Sequence, residues 1–256
     1  MHPRTIQLGD RQITRMGLGT NRLTATAENI AFVRRAVETG IGMVDTAHLY
    51  TGGSSEDTVG QSLSPFDDDG YVVATKGGYR PGEGRPDALR SQIDESLRRL
   101  RTSRISLWYL HRVDPETPLE TSLAVVREYV DAGQIGLVGI SDVTVEQIER
   151  ARGVLPIAAV QNQYYVSNTR HDNVIDYCER EGIVFVPFSP LHGDHPELAR
   201  VAEAHGATEA QVALAWLLHR SPAILPIPGT LSIDHVRENV AALDIELTKE
   251  ELAALA

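Results

Sequence analysis

The chain has 256 residues, 42% hydrophobic and 23% charged, with 35 Asp and Glu against 24 Lys and Arg for a formal net charge of -11. That acidic balance disfavours attraction to a phosphate backbone or an anionic membrane, so neither nucleic acid nor membrane is an expected partner. The single cysteine, Cys178, excludes an internal disulfide, and the periodic stretch "NVIDYCEREG" around it predicts a half-buried helix position rather than a nucleophile.

The opening "MHPRTIQLGDRQ" has no apolar signal-peptide core, and no eighteen apolar residues run together, so a cytoplasmic location is expected. Next, "TIQLGDRQITRMG" reads as two short strands around Gly9-Asp10, a hairpin turn suited to primed geometry. Eight apolar runs then recur: "MGLGT" (16–20), "GMVDT" (42–46), "YVVATK" (71–76), "ISLWYLH" (105–111), "IGLVGIS" (135–141), "AAVQNQ" (158–163), "IVFVPFS" (183–189) and "AILPIPG" (223–229). Helical spacing marks "AENIAFVRRAVETG", "DALRSQIDESLRRL", "LETSLAVVREYVDAG" and "ATEAQVALAWLLHR" between them, and several of these end in Gly, a stop signal. Such alternation implies a parallel sheet, and eight units close naturally into a barrel. The expected fold class is α/β, a (β/α)8 TIM barrel with an N-terminal β-hairpin capping one end, as a single domain over 1–256. No charge block or low-complexity tract breaks the pattern.

In that architecture chemistry sits at the carboxyl ends of the strands and in the loops beyond them. The predicted strands end in polar groups: Asp45 closes the second, with Tyr50 in the loop that follows; Lys76 closes the third, His111 the fourth, Ser141 and Asp142 the fifth, and Gln161 and Asn162 the sixth. Any one of these could be a satisfied structural residue. Four of them make a chemical unit. A phenol, with a reference pKa of about 10, keeps its proton at neutral pH and can donate it to an oxygen gaining negative charge. An ammonium beside it would stabilise the phenolate and lower that pKa, an aspartate would fix the ammonium, and His111 would orient a carbonyl oxygen. Such a set supplies protons and polarisation, and a cofactor must bring the hydride.

The sequence resembles the aldo-keto reductases over nearly its whole length. "GMVDTAHLY", "VVATKGG" and "LWYLHRVD" are similar to the family's aspartate-tyrosine, lysine and histidine elements, so the resemblance implies Asp45, Tyr50, Lys76 and His111 as a catalytic tetrad. It also implies NADPH as the usual hydride donor and a small-molecule carbonyl substrate. "GISDV" matches the segment that holds the nicotinamide carboxamide, through Ser141 and with Asp142 in place of an amide. Gln161 is the third implied contact. "VPFSPLHG" puts Phe188 where an aromatic ring stacks on nicotinamide, with Ser189 and Leu191 beside the pyrophosphate. "IPGTLSIDHVRENV" implies Gly229, Thr230, Glu238 and Asn239 at the phosphate and adenine end. His235 and Arg237 stand near where relatives carry a stronger basic grip, which leaves NADH possible. Within the family, "QVALAWLLHRSP" and the last two segments most resemble bacterial pyridoxal reductase-like members.

The short "LHGDHPE" and the end at "TKEELAALA" predict an open mouth and weak selectivity for small aldehydes, with Tyr79 as a pocket wall. Of Trp108 and Tyr109, one should face inward and the other outward. A monomer or weak homo-oligomer is expected. Two other functions compete: a cofactor-sensing subunit, and a hydrolase whose metal is held by Asp45, His48 and His111. The second leaves Lys76 without a role and no H-x-H closes a strand, so no metal site is expected.

Overall fold

The chain first turns back on itself at Gly9. In the computed structural model, which describes residues 2–66 and 70–255, β1 (Thr5–Leu8) and β2 (Arg11–Thr14) form an antiparallel hairpin with Thr5 opposite Thr14. The two ends of the expected 1–256 domain lie outside the described residues. Strands and helices then alternate: β3 (Gly17–Gly19), α1 (Ala27–Glu38), β4 (Met43–Asp45), α2 (Ser54–Leu63), β5 (Val72–Gly77), α3 (Pro86–Leu100), β6 (Ile105–Leu110), α4 (Leu119–Asp131), β7 (Ile135–Ser141), α5 (Val145–Arg152), β8 (Ala159–Gln161), α6 (Asp172–Glu181) and β9 (Val184–Phe185). The chain ends in helices α7 (Leu198–His205), α8 (Glu209–Arg220), α9 (Ile233–Ala241) and α10 (Lys249–Ala254). Strands β3 to β9 pair in chain order as one parallel sheet of seven.

The helices start and stop where local chemistry dictates. Thr26 caps α1 by accepting from the Asn29 amide, and Thr144 and Thr208 form reciprocal capping boxes with Gln147 and Gln211. Gly182 and Gly206 end α6 and α7 in left-handed conformation, at φ 67° and 60°.

The eighth apolar run, 223–229, departs from expectation. It forms no strand but touches both edges of the sheet, Ile224 bridging Phe185 and Gly229 bridging Gly19. The reason is its sequence, "AILPIPG": Pro226 and Pro228 have no N–H to give to a ladder, though their carbonyls accept from Gly17 and Gly19. The seventh run, predicted over 183–189, likewise shortens to Val184–Phe185, with a single further bridge from Gln163 to Phe188.

Side chains divide between two cores. Trp108 and Cys178 join the outer core between sheet and helices. Cys178 is fully buried rather than half-buried, and burial pushes its thiol up to about 12. The inner core holds Met43, Val72, Ala74, Leu107, Tyr109, Ala159, Leu225 and Ile227, together with Leu8 and Ile13 of the hairpin. Tyr109 therefore faces inward and Trp108 outward.

The hairpin docks because Gly42 has no side chain. A Cβ there would lie 2.1 Å from the Thr14 carbonyl oxygen and 2.7 Å from its nitrogen, both backbone atoms that cannot swing aside. Gly42→Ala is expected to destabilise the protein by about 3 kcal/mol and to lower Tm by roughly 6 °C or more. A Tm within a degree of the parent in calorimetry would mean that the hairpin is not held this tightly.

Candidate active site

Period-two alternation places the site. Met43, Val72, Ala74, Leu107, Tyr109 and Ala159 face inward, so the next inward positions toward the carboxyl ends are Asp45, Lys76, His111 and Gln161. The strand register agrees, with Asp45 opposite Ala74, Lys76 opposite Tyr109 and Ser141 opposite Gln161. Asp45, Lys76, Ser141 and Gln161 are buried, and His111 is nearly so.

Lys76 is the centre of the arrangement. Its Nζ donates to Asp45 Oδ1 at 2.5 Å, to the Thr46 carbonyl at 2.9 Å and to the Tyr50 hydroxyl at 3.2 Å. All three ammonium protons are thereby used. Asp45 is equally committed, since its Oδ2 accepts from Gln161 Nε2 at 2.9 Å. Burial works against the lysine's charge, but Asp45 and then Tyr50 outweigh it and hold its pKa above the ordinary value.

The sequence predicts a lowered Tyr50 pKa, and the structure reverses the sign. Burial pushes the phenol up by more than Lys76 pulls it down, so it stays above its usual 10.0. Tyr50 thus keeps its proton across the neutral range, and with its oxygen accepting from Lys76, its own O–H is left to point elsewhere. His111 is held neutral. Burial first, then Lys76 and Arg112, depress its pKa to about 2, and its Nδ1 is buried with no hydrogen-bond partner among the described residues. The His111 ring lies edge-on to Tyr50 at 5.9 Å and against Tyr79 at 4.8 Å.

A residue of α3 steadies the loop that carries Tyr50. The guanidinium of Arg99 donates to the His48 carbonyl at 3.0 Å and pairs with buried Glu56 at 3.3 Å and with Glu95 at 2.7 Å. The His48 ring turns to Glu95 Oε2 at 2.9 Å instead of joining Asp45 and His111. Among the described residues, the group of three or more metal-type side chains that converges is a different one, His2, His219 and Glu246.

One cavity of about 700 Å³ opens above Asp45, Tyr50 and His111. Asp45, Tyr50, His111, Ser141, Asp142, Gln161, Phe188, Ser189, Leu191 and Gly229 line it, with Tyr79 as a wall, while Lys76 lies buried beneath. Asp142 takes a left-handed backbone at φ 57°. Asn162 supports that turn by clamping both backbone groups of Val143, at 3.0 and 2.8 Å. The other predicted cofactor residues stand apart. Thr230 Oγ1 lies 3.3 Å from His235 Nδ1 at the start of α9, and Arg237 pairs with Asp234 at 2.9 Å and lines a separate surface cleft with Arg35 and Glu38. Neither Glu238 nor Asn239 lines the cavity.

Sequence reasoning missed Arg22 and Arg112, both in the cavity wall. Arg22 donates to the Gly229 carbonyl at 2.8 Å; Arg112 stacks on Tyr79 at 4.6 Å and approaches Asp142 at 3.7 Å. Arg112 directly follows His111 at a strand end, and that position was its available signal.

Because both Asp45 oxygens accept from fixed donors, Asp45→Asn sets an N–H₂ against either Lys76 or Gln161 and strips the lysine of its counter-charge. The expected loss is about 3 to 5 kcal/mol, the range for breaking a buried pair. Denaturant unfolding checks it, and a loss under about 1 kcal/mol would place the pair in a far more solvated setting than its burial indicates.

Comparisons with known proteins agree with this geometry. The model of the Aldo/keto reductase family matches residues 15–195 and 194–256. An uncharacterized oxidoreductase of Schizosaccharomyces pombe is 36% identical, over 98% of this chain and 88% of its own. Pyridoxine 4-dehydrogenase of Escherichia coli is 34% identical, over 100% of this chain and 98% of its own. Among solved structures, an aldo/keto reductase from Klebsiella pneumoniae in complex with NADP and acetate superposes with a TM-score of 0.88 at 29% identity, covering 98% of this chain and 94% of that one. A family model spanning nearly the whole chain and full-length relatives above 30% identity lead to one conclusion: this protein belongs to the aldo/keto reductase family.

Proposed function

We propose that the protein is an NADPH-dependent reductase of aldehydes or ketones, with Tyr50 as general acid, built as a single (β/α)8 barrel domain in which residues 223–229 serve as the eighth stave. One observation carries the reading: Lys76, saturated by Asp45, Thr46 and Tyr50, accepts nothing and leaves the Tyr50 proton as the one available for transfer. Bound NADPH supplies the hydride.

The residues present suit that cofactor. A Cβ on Gly229 would come within 3.4 Å of the Gly19 carbonyl oxygen, so a side chain there would narrow the cleft. Arg22 brings a half-freed guanidinium to the same rim, matched to an anionic phosphate. With Gln161 Nε2 committed to Asp45, its carbonyl oxygen and the Asp142 carboxylate are both acceptors, suited to a carboxamide N–H₂. Phe188, on the inner core's edge, offers an aromatic face. Ser189, Leu191 and Ser141 complete that wall. Thr230, His235, Glu238 and Asn239, clustered at α9, are assigned to the far phosphate and adenine end, with Arg237 free to join only by leaving Asp234. That weak basic grip keeps NADH as an alternative donor.

In the reaction, the carbonyl oxygen sits between the Tyr50 hydroxyl and neutral His111. As the carbon gains hydride, Tyr50 gives its proton to the oxygen, and the phenolate left behind is stabilised by Lys76 at 3.2 Å. Solvent restores the proton. Pyridoxal is one candidate substrate, in line with the relative named pyridoxine 4-dehydrogenase.

Tyr50→Phe is expected to bind NADPH as the parent does, by fluorescence titration, while kcat for aldehyde reduction falls by roughly 100-fold or more. Unchanged turnover would overturn the assignment. The pKa directions add a second expectation. With His111 neutral above about 2 and Tyr50 protonated past its usual 10.0, kcat is expected to be flat across roughly pH 6 to 9 and to fall only as Tyr50 ionises. A steep step near neutrality would assign the proton to another group.

A further inference from the structure

Arg112 stands in the cavity wall with no part in the reaction proposed above. It directly follows His111 at the end of β6, and its amide donates to the Gly78 carbonyl at 3.1 Å, which ties its backbone to the loop after β5. Counted round the sheet from residues 223–229, which touch both edges, β6 is the farthest strand. Arg112 therefore faces the mouth from the side opposite Gly229 and Arg22, the residues given above to the cofactor phosphates. Building on the reductase reading, we propose that Arg112 recognises a carboxylate on the substrate, so that the protein selects aldehydes or ketones that carry an acid group.

The guanidinium is held in place yet keeps its donors. Its Cζ lies 4.6 Å from the centre of the Tyr79 ring, and the same ring packs against His111 at 4.8 Å. Stacking on a ring face restrains the side chain while its N–H groups, which lie in the guanidinium plane, still point outward. Asp142 is its ion-pair partner, but the carboxylate approaches only Nε, at 3.7 Å, too far for a hydrogen bond. Both side chains are part-exposed, so the pair is a loose one. Among the described residues no N–H of the Arg112 side chain makes a hydrogen bond. In the reductase reading the Asp142 carboxylate turns to the carboxamide N–H₂, and the terminal nitrogens of Arg112 are kept for another acceptor.

Charge in the cavity wall favours an acid. Buried Lys76 cancels Asp45, which leaves the guanidiniums of Arg22 and Arg112 against the carboxylate of Asp142. On a chain of formal net charge -11, that local excess draws anions to the mouth. The planar fork of an arginine takes a carboxylate through two parallel hydrogen bonds, which a neutral group cannot match. With Asp142 alongside, one guanidinium balances the single charge of a carboxylate better than the higher charge of a phosphate monoester. The charge of Arg112 also reaches the reacting end, since it adds to burial and Lys76 in depressing the His111 pKa to about 2. Arg112, Tyr79, His111 and Tyr50 form one line of contacts, with 4.8 Å between the first two rings and 5.9 Å between the last two. Such a line suits a substrate with its carboxylate and carbonyl at opposite ends of a short chain or a single ring.

The test compares 4-carboxybenzaldehyde with its methyl ester, a neutral aldehyde of similar shape, as substrates of the full chain with NADPH. The parent is expected to favour the acid in kcat/KM, and Arg112→Gln to lower that preference at least about tenfold, mainly through the KM of the acid. The ratio between the two aldehydes cancels any loss that they share, including partial unfolding of a variant. Arg112→Lys keeps the charge without the fork and is expected to fall between the parent and Arg112→Gln. A preference for the acid that is missing in the parent, or that Arg112→Gln leaves unchanged, would sink this inference alone and leave the reductase reading standing. If neither aldehyde is reduced, with NADPH or with NADH, the reductase reading falls and takes the inference with it.

Discussion

The Lys76–Asp45 pair is the constraint around which the molecule is arranged. Two opposite charges from adjacent strands meet at 2.5 Å with almost no solvent contact, and every lone pair and proton they carry toward one another is used. Taking such ions out of water costs several kcal/mol apiece, which attraction and hydrogen bonds do little more than offset. An apolar pair of like volume would serve the fold as well. What it could not do is hold a cation 3.2 Å from a phenol oxygen, which is the part that the proposed reduction gives to the buried pair. Gln161 extends the constraint across the sheet, bringing β8 to the same carboxylate.

The environment of the pair explains the character of the chemistry. Burial alone would leave Tyr50 a reluctant acid, and Lys76 answers only part of that effect. The proton is therefore retained at rest, and in the reaction proposed above it would pass only to an oxygen that gains charge beside it. His111, kept neutral by the same burial and by Lys76, adds polarity to the pocket without adding charge. Arg99 keeps the Tyr50 loop in register with this centre by gripping the His48 carbonyl and the Glu56 and Glu95 carboxylates.

Much of this was legible in the sequence, for a physical reason. Strand periodicity and polar strand ends are local signals, so Asp45, Lys76, His111 and Gln161 could be placed on one face from spacing alone, and Gly9-Asp10 announced the hairpin. The rest depends on partners distant in the chain. The sign of the Tyr50 shift is a contest between burial and Lys76, and no motif encodes its outcome. Arg99 lies 51 residues from the carbonyl it holds. Arg237 matched a phosphate-end motif, yet pairs with its helix neighbour Asp234. The eighth run read as a strand by composition, but its prolines prevented one.

Those prolines also decide where the sheet is joined least firmly. Between β3 and the 226–228 segment, Gly17 and Gly19 donate to Pro226 and Pro228, and nothing can be donated in return. The join runs in one direction only, at half the bond density of an ordinary parallel ladder. On the other side, Leu225 donates to the Phe185 carbonyl and Phe185 donates to the Ala223 carbonyl, so that join to β9 carries bonds in both directions. Gly19, Pro228 and Gly229 line the cleft directly over this seam. Opening the cleft along this seam would therefore break fewer backbone bonds than parting any two of the seven strands paired in the sheet.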